Sequence, residues 1–297
     1  MNRIGIKVRT LLLLALVAPA LPASEGHVDR VVGAVQSAVR QLKAADPEAV
    51  AIAIWDFDGT IIRGDVTEGL FEDGRERFQG MAHAGILAGW SGIYRGESGW
   101  EQYLRDYARL NEIGRFIAWP YNAQMFAGPK AAEFDAFCRR RFAEVYRNWY
   151  FASSMAILRR LEASGIENHI ISGSPEIFVR NAADTIGLPA SRFNGIRVAI
   201  DDGRITTRIE YPVLTGEGKV ELLKRLLNAR KHAYAIAGFG DSYKTDGPFL
   251  RYIATQDLPG GARGFAMMIN AKERPAEYDG LLFHVRQSET EADAGRD

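Results

Sequence analysis

Ala49-Val50-Ala51-Ile52-Ala53-Ile54-Trp55-Asp56-Phe57-Asp58-Gly59-Thr60 is the stretch around which the chain is organised. The apolar run from Ala49 to Trp55 is unbroken, as in a strand buried on both faces of a parallel sheet. Side chains alternate along a strand, so Asp56 and Asp58 share one side and Phe57 takes the other. Gly59 lets the backbone turn away. Two carboxylates at the carboxyl end of a central strand stand where open α/β sheets bind ligands. They repel one another unless a cation lies between them or one of them carries a proton. Asp-Gly is also ordinary turn chemistry, so the pair alone leaves a plain strand end open as the alternative.

Moving outward, the 297 residues suffice for a sizeable core, either as one domain with an insertion or as two small ones. Charged residues make up 25% and hydrophobic ones 47%, an ordinary globular balance. Basic and acidic residues both total 37, so no overall positive field exists to attract nucleic acid. Cys138 is the only cysteine, which excludes an internal disulfide and a cysteine-rich zinc site. At the N-terminus Arg3, Lys7 and Arg9 precede the apolar run Leu11 to Val17, with small residues at Ala18, Ala20 and Ala23. That order is a secretory signal over 1–23, cleaved after Ala20 or Ala23. The run is too short to cross a bilayer, so a soluble periplasmic or secreted protein with no stable membrane span is expected. Little ATP exists outside the cytoplasm, which favours a hydrolase over a kinase.

Apolar residues at helical spacing from Val28 to Leu42 predict an amphipathic helix before the central strand. Roughly a hundred residues then separate Thr60 from the next buried strand, too many for a simple crossover. Helices are expected near Val66–Ala88, Trp100–Asn111, Ala131–Tyr150 and Ser154–Ser164, forming a mainly helical subdomain over 62–165. Strand Ile166–Ile171 ends in Ser172-Gly173-Ser174-Pro175-Glu176, a helix-start signal with Ser174 as cap. That helix is expected to run to Ile186 and stop at Gly187. Ile196–Ile200, Asp202-Gly203 and Ile205–Tyr211 read as a β-hairpin. A helix begins at Lys219, and Tyr234–Gly238 is a further strand ending in Gly240-Asp241. Phe265–Ile269 is expected as the last strand, and 287–297 as a disordered polar tail. The fold class is therefore α/β, a Rossmann-like parallel sheet from 24–61 and 166–286 with an inserted helical cap.

Asp56 and Asp58, Ser172, Lys219, and Asp241 with Asp246 all fall at strand ends or the helix starts that follow, and a doubly wound sheet brings such positions to one edge. Asp56-Phe57-Asp58-Gly59-Thr60, Ser172, Lys219 and Gly240-Asp241…Asp246 resemble the four motifs of the haloacid dehalogenase-like phosphohydrolases. The insertion sits where that superfamily carries a type-1 helical cap, as in phosphoserine phosphatases. Asp65-Val66-Thr67-Glu68 and Trp119-Pro120-Tyr121…Gln124-Met125-Phe126-Ala127-Gly128 are similar to segments of secreted bacterial phosphorylcholine phosphatases. The resemblance implies that Asp56 attacks phosphorus and becomes an aspartyl-phosphate. It implies that Asp58 protonates the leaving oxygen and then activates water. Asp56, the Asp58 carbonyl and Asp241 are the implied Mg²⁺ ligands, with Asp246 behind them. Ser172, Gly173 and Lys219 are the implied phosphate contacts. The alternatives are helix capping for Ser172 and Ser174 and a solvated lysine at position 219. Gly216-Glu217-Gly218-Lys219 is not a P-loop, because Val220 stands where Ser or Thr is needed.

Asp65 lies where phosphoserine phosphatases place the carboxylate that meets a substrate amino group, and Glu68 lies one helical turn further on. Trimethylammonium is recognised by aromatic faces with acidic help, which makes Trp100, Glu101, Tyr103 and Trp119 candidates. Aromatics at helical spacing also form core, and any one of these has that alternative. No arginine is assignable as partner to a substrate carboxylate. The expectation is an Mg²⁺-dependent phosphomonoesterase acting on phosphorylcholine. A phosphoserine phosphatase-like hydrolase and a catalytically silent phosphate-binding protein are the alternatives.

Overall fold

The computed structural model describes residues 25–294; the expected signal segment lies outside the described residues. Helix α1 (Glu25–Ala45) leads into β1 (Val50–Trp55). There follow β2 (Gly69–Glu72), β3 (Arg75–Gln79), α2 (Met81–Leu87), α3 (Gly96–Ile113), α4 (Arg115–Gln124), α5 (Ala131–Glu144) and α6 (Ala152–Ala163). The chain continues through β4 (Glu167–Pro175), α7 (Glu176–Val179), α8 (Ala183–Ile186), β5 (Phe193–Asp201), β6 (Arg204–Glu210) and α9 (Glu217–Asn228). It closes with β7 (Ala233–Gly240), α10 (Gly247–Thr255), β8 (Phe265–Ile269), β9 (Phe283–Val285) and α11 (Glu291–Ala294).

Seven strands form one sheet in the order β6-β5-β4-β1-β7-β8-β9. All neighbours are parallel except β5 and β6. β1 lies at the centre, paired with β4 and β7, and alternation splits its side chains between two cores. Ala51, Ala53 and Trp55 pack with α1 and α6, while Ile52 and Ile54 pack with α9 and α10. Trp55 stacks on Phe239 at 3.8 Å and its indole N–H donates to Asn168 Oδ1 at 2.8 Å. The fold class expected from the sequence is the one observed.

Some local expectations are corrected. The helix expected over Val66–Ala88 is instead the hairpin β2–β3 followed by the short α2. Asp73 and Gly74 both take positive φ, 52° and 72°, as a two-residue hairpin turn requires. The helix expected from Pro175 to Ile186 is broken. Strand β4 continues through Pro175, because the residue before a proline favours extended backbone, and only short helical turns follow. A strand, β9, follows the one expected to be last. The segment expected to be disordered from 287 is ordered as far as 294: Ser154 Oγ donates to Gln287 Oε1 at 3.0 Å, and the Glu291 N–H to the Tyr150 carbonyl at 2.8 Å. Helix α6, placed by sequence in the inserted segment, packs against α1 and β4.

Helix α4 decides how the inserted segment meets the sheet. Gly114 precedes it and Pro120 lies inside it, so the Phe116 carbonyl lacks its usual helical donor. Gln124 Nε2 donates to the Thr207 carbonyl at 2.7 Å, and the Gly128 N–H to the Ile205 carbonyl at 2.8 Å. The end of α4 is thereby tied to the β5–β6 hairpin.

Candidate active site

The carboxyl ends of β1, β4 and β7 deliver side chains to one point. Asp56 follows β1 directly, and its side chain meets Lys219 from the first turn of α9 at 2.5 Å. Lys219 is 1% exposed and pairs also with Asp246 Oδ1 at 2.6 Å. The other oxygen of Asp246 accepts the backbone N–H groups of Asp241 and Ser242, at 3.1 and 3.0 Å. Asp246 therefore folds the loop after β7 and aims the ammonium at Asp56. Of the two readings of Lys219, the solvated one is excluded by its burial.

Asp58 is held by hydroxyls. Its Oδ1 accepts the Val66 N–H at 2.7 Å; its Oδ2 accepts Ser172 Oγ at 3.1 Å and Ser174 Oγ at 2.7 Å. Ser174 makes no helix cap, since its hydroxyl is spent on Asp58 and on Thr67, whose Oγ1 donates to it at 2.8 Å. Ser172 is fully buried behind Asp58, and its oxygen accepts the Ser174 N–H at 3.0 Å. Helix α7 starts at Glu176 with no side-chain cap, so neither serine caps it.

The charges are crowded. Asp56, Asp58, Asp241 and Asp246 face one ammonium. Burial pushes the Asp56 carboxyl up to about 7, with Asp246 adding to the rise and Lys219 opposing it. Burial, then Asp246 and Asp56, push Asp241 up to about 9. Such shifts mark a place where a bound cation relieves repulsion. Asp56, Asp241 and Asp246 each offer an oxygen within 4.8 Å of the others. The all-oxygen set suits Mg²⁺, a hard ion that keeps several waters. Gly59 supports the fit, for a Cβ there would lie 2.2 Å from Asp241 Oδ2, and its φ is +71°. Only glycine lets the backbone come this close. Asp246 carries Lys219 and two amides and lies off the wall of the adjoining cavity, whereas Asp56 and Asp241 line it and are the side chains that would hold the ion.

A cavity of about 380 Å³ opens above these groups. Its wall includes Asp65, Glu68 and Trp119 from the expected set, and Gly173 below them. Asp65 Oδ1 accepts the N–H groups of Thr67 and Glu68, at 2.7 and 2.8 Å. The two acids are thus neighbours in an Asx-turn and not on one helix face. Burial, then Asp58 and Glu68, raise the Asp65 carboxyl well above the usual range. The Trp119 ring lies on Gly173, where a Cβ would come within 2.3 Å of it. Trp100, Glu101 and Tyr103 are not on this wall. Trp100 stacks on His83 at 4.1 Å, Glu101 faces solvent, and Tyr103 is core with its hydroxyl donating to Asn122 Oδ1 at 2.7 Å.

Tyr107, Arg115, Asn122, Thr67 and Ser174 line the cavity unforeseen. Tyr107 is one turn beyond Tyr103 and stacks on it at 5.4 Å, while its hydroxyl donates to Glu68 Oε1 at 2.8 Å. The i, i+4 spacing of the two tyrosines was a usable signal. Arg115 sits 5.5 Å from the centre of the Trp119 ring, and nothing in its sequence context marks it.

Comparison with known proteins agrees with this geometry. A family model described as haloacid dehalogenase-like hydrolase matches residues 53–251. No curated protein sequence matches the chain. Among solved structures, a protein of unknown function from Bordetella pertussis Tohama I is similar at 18% identity and TM-score 0.61, over 80% of this chain and 98% of that one. A functionally unknown protein from Anaerococcus prevotii DSM 20548 is similar at 14% identity and TM-score 0.57, over 86% and 96%. Cytosolic 5'-nucleotidase IIIB bound to cytidine is similar at 14% identity and TM-score 0.50, over 86% and 85%. At these identities the structural likeness speaks for the fold, and the family match covers well over half the sequence. The chain belongs to the haloacid dehalogenase-like hydrolase family.

Proposed function

We propose that the protein is an exported, Mg²⁺-dependent phosphomonoesterase that forms an aspartyl-phosphate on Asp56, with phosphorylcholine as its leading substrate. The observation that carries this reading is the buried Lys219 ammonium bridging Asp56 and Asp246 at the floor of a cavity of about 380 Å³. Phosphoryl transfer needs a positioned nucleophile and compensation of oxygen charge, more than it needs protein covalent chemistry. Lys219 fixes the Asp56 carboxylate and carries positive charge to the phosphoryl oxygens. Bound Mg²⁺ would supply the remaining charge compensation between Asp56, the Asp58 carbonyl and Asp241. Asp58, held in place on the cavity wall by Ser174 and the Val66 amide, gives its proton to the leaving oxygen and later takes one from water. The Gly173 amide donates to the phosphate, a role supported by the position of Gly173 on the cavity wall under the Trp119 ring. Residues 62–151 act as the cap, and the 1–23 segment directs export.

The upper wall supports a cationic leaving group. Asp65, Glu68, Tyr107 and Trp119 combine carboxylates with aromatic faces, the chemistry that recognises quaternary ammonium. Arg115 on the same wall favours a second reading. A guanidinium there pairs bidentately with a carboxylate, so a zwitterionic ester such as phosphoserine is the alternative substrate.

Hydrolysis of a chromogenic aryl phosphate with Mg²⁺ and with EDTA tests the class. Metal-dependent turnover that disappears in Asp56→Asn, with an unchanged circular dichroism spectrum, is expected. Undiminished activity in that variant would falsify the assigned nucleophile, and no turnover at all would leave a phosphate-binding protein. Comparing kcat/KM for phosphorylcholine and phosphoserine decides the substrate.

A further inference from the structure

Two serine hydroxyls reach the same oxygen of Asp58, and of the two residues Ser174 is the one that lines the cavity. A serine hydroxyl has a single proton to donate. Ser172, fully buried, gives its proton to Asp58 Oδ2 at 3.1 Å, while its own oxygen accepts the Ser174 N–H at 3.0 Å. Without Ser174, Asp58 would keep the Val66 N–H on Oδ1 and only that longer Ser172 contact on Oδ2. Ser174 adds the tighter hold. Its hydroxyl is nearer, at 2.7 Å, and is itself fixed by Thr67 Oγ1 at 2.8 Å. Thr67 is buried and belongs to the turn that Asp65 pins through the Thr67 and Glu68 amides.

We propose that Ser174, backed by Thr67, is a positioning residue that keeps Asp58 aimed at the leaving-group oxygen. The inference rests on the phosphomonoesterase reading. In the step concerned, an Asp56 oxygen bonds to phosphorus and the bond from phosphorus to the leaving oxygen breaks. The electron pair stays on that oxygen, and the Asp58 proton moves to it, releasing an alcohol and leaving Asp58 as carboxylate. A nitrophenolate departs without this proton, whereas an alkoxide does not. Loss of aim therefore penalises alkyl esters selectively.

The test compares kcat/KM for p-nitrophenyl phosphate with that for phosphorylcholine and phosphoserine, because this constant reports on steps through the first phosphoryl transfer. Ser174→Ala is expected to raise the aryl-to-alkyl ratio at least about tenfold, a modest part of the usual general-acid effect. Thr67→Val should raise it about threefold, and Ser174→Thr, which restores a hydroxyl, should bring it back toward wild type. In an Asp58→Asn background, where the ratio is already high, Ser174→Ala should add nothing, since the two act as a unit. Equal losses on both ester classes, or an unchanged ratio, would overturn the proposal. A selective loss that persists in the Asp58→Asn background would overturn it too. If Ser174→Ala does not fold, Thr67→Val carries the same comparison. A wild-type protein that hydrolyses neither class refutes the phosphatase reading itself, a result distinct from equal losses.

Discussion

Replacing Lys219 by methionine isolates the charge that holds the site together. Methionine nearly matches the lysine stem in volume, so the change removes an ammonium without opening a large cavity. It leaves Asp56 and Asp246, both buried, without the cation now 2.5 and 2.6 Å away. Removing one member of a buried pair costs about 3–5 kcal/mol, because the partner charge stays desolvated. Two partners are orphaned here, but Asp246 keeps two amide donors and Asp56 keeps Thr60 Oγ1 at 3.3 Å. A loss of about 4 kcal/mol is therefore expected, or roughly 10 °C in Tm for a chain of this size. Urea unfolding followed by circular dichroism in EDTA measures it, with m unchanged if the native state stays compact. The penalty should shrink at about pH 5 relative to about pH 8, since protonating Asp56, whose carboxyl is raised to about 7, removes buried charge. Adding Asp246→Asn should recover about 1–2 kcal/mol of it. A loss below about 1 kcal/mol, the value of a solvated ion pair, would refute the view that this ammonium balances a dry acidic cluster.

Other perturbations probe the same charges and the substrate wall. Without metal, Asp56 and Asp241 hold their protons more tightly folded than unfolded, at about 7 and about 9. What these two groups contribute to stability in EDTA should then be full below about pH 4, the unfolded carboxylate value, and be lost as pH rises from there to about 7 and about 9. Mg²⁺ should reduce the fall, and calorimetry giving the same slope with and without it would remove the case for a cation site. Gly59→Ala places a methyl 2.2 Å from Asp241 Oδ2. It should raise the Mg²⁺ concentration for half-activation at least about tenfold, whereas Gly74→Ala, equally left-handed but in open space, should cost only about 1 kcal/mol of turn strain. Equal effects of the two on metal activation would contradict the crowding at Gly59. Arg115→Ala should raise KM for phosphoserine at least about tenfold and leave phosphorylcholine less affected; the reverse order would place the guanidinium on the phosphate.

The parts of the site that could be read from sequence are those whose direction a strand fixes. Asp56 and Asp241 follow β1 and β7 directly, and Lys219 lies in the first turn of α9. Parallel pairing of adjacent strands leaves their carboxyl ends little freedom but to meet. The hairpin of β2 and β3 was equally encoded, by Asp73-Gly74, yet an apolar spacing that also suits a helix hid it. Periodicity and turn chemistry disagreed there, and the turn, which requires positive φ at both residues, won.

Part of the substrate wall was not readable: Tyr107, Arg115 and Asn122 lie on helices whose rotation is set by docking, so spacing alone does not say which of them reaches the cavity. Tyr103 and Tyr107 lie on one face of α3, yet the first is core and the second reaches the cavity. What separates them is where α4 crosses, and α4 is a helix with an internal proline that propensity argues against. Its crossing brings Trp119 onto Gly173, so a cap side chain touches the glycine beside both serines that hold Asp58. Substrate wall and acid are therefore mechanically joined through residues 172–174. A change in α4 that rotates Trp119 away should disturb proton delivery as well as binding, which no reading of either segment alone would foresee.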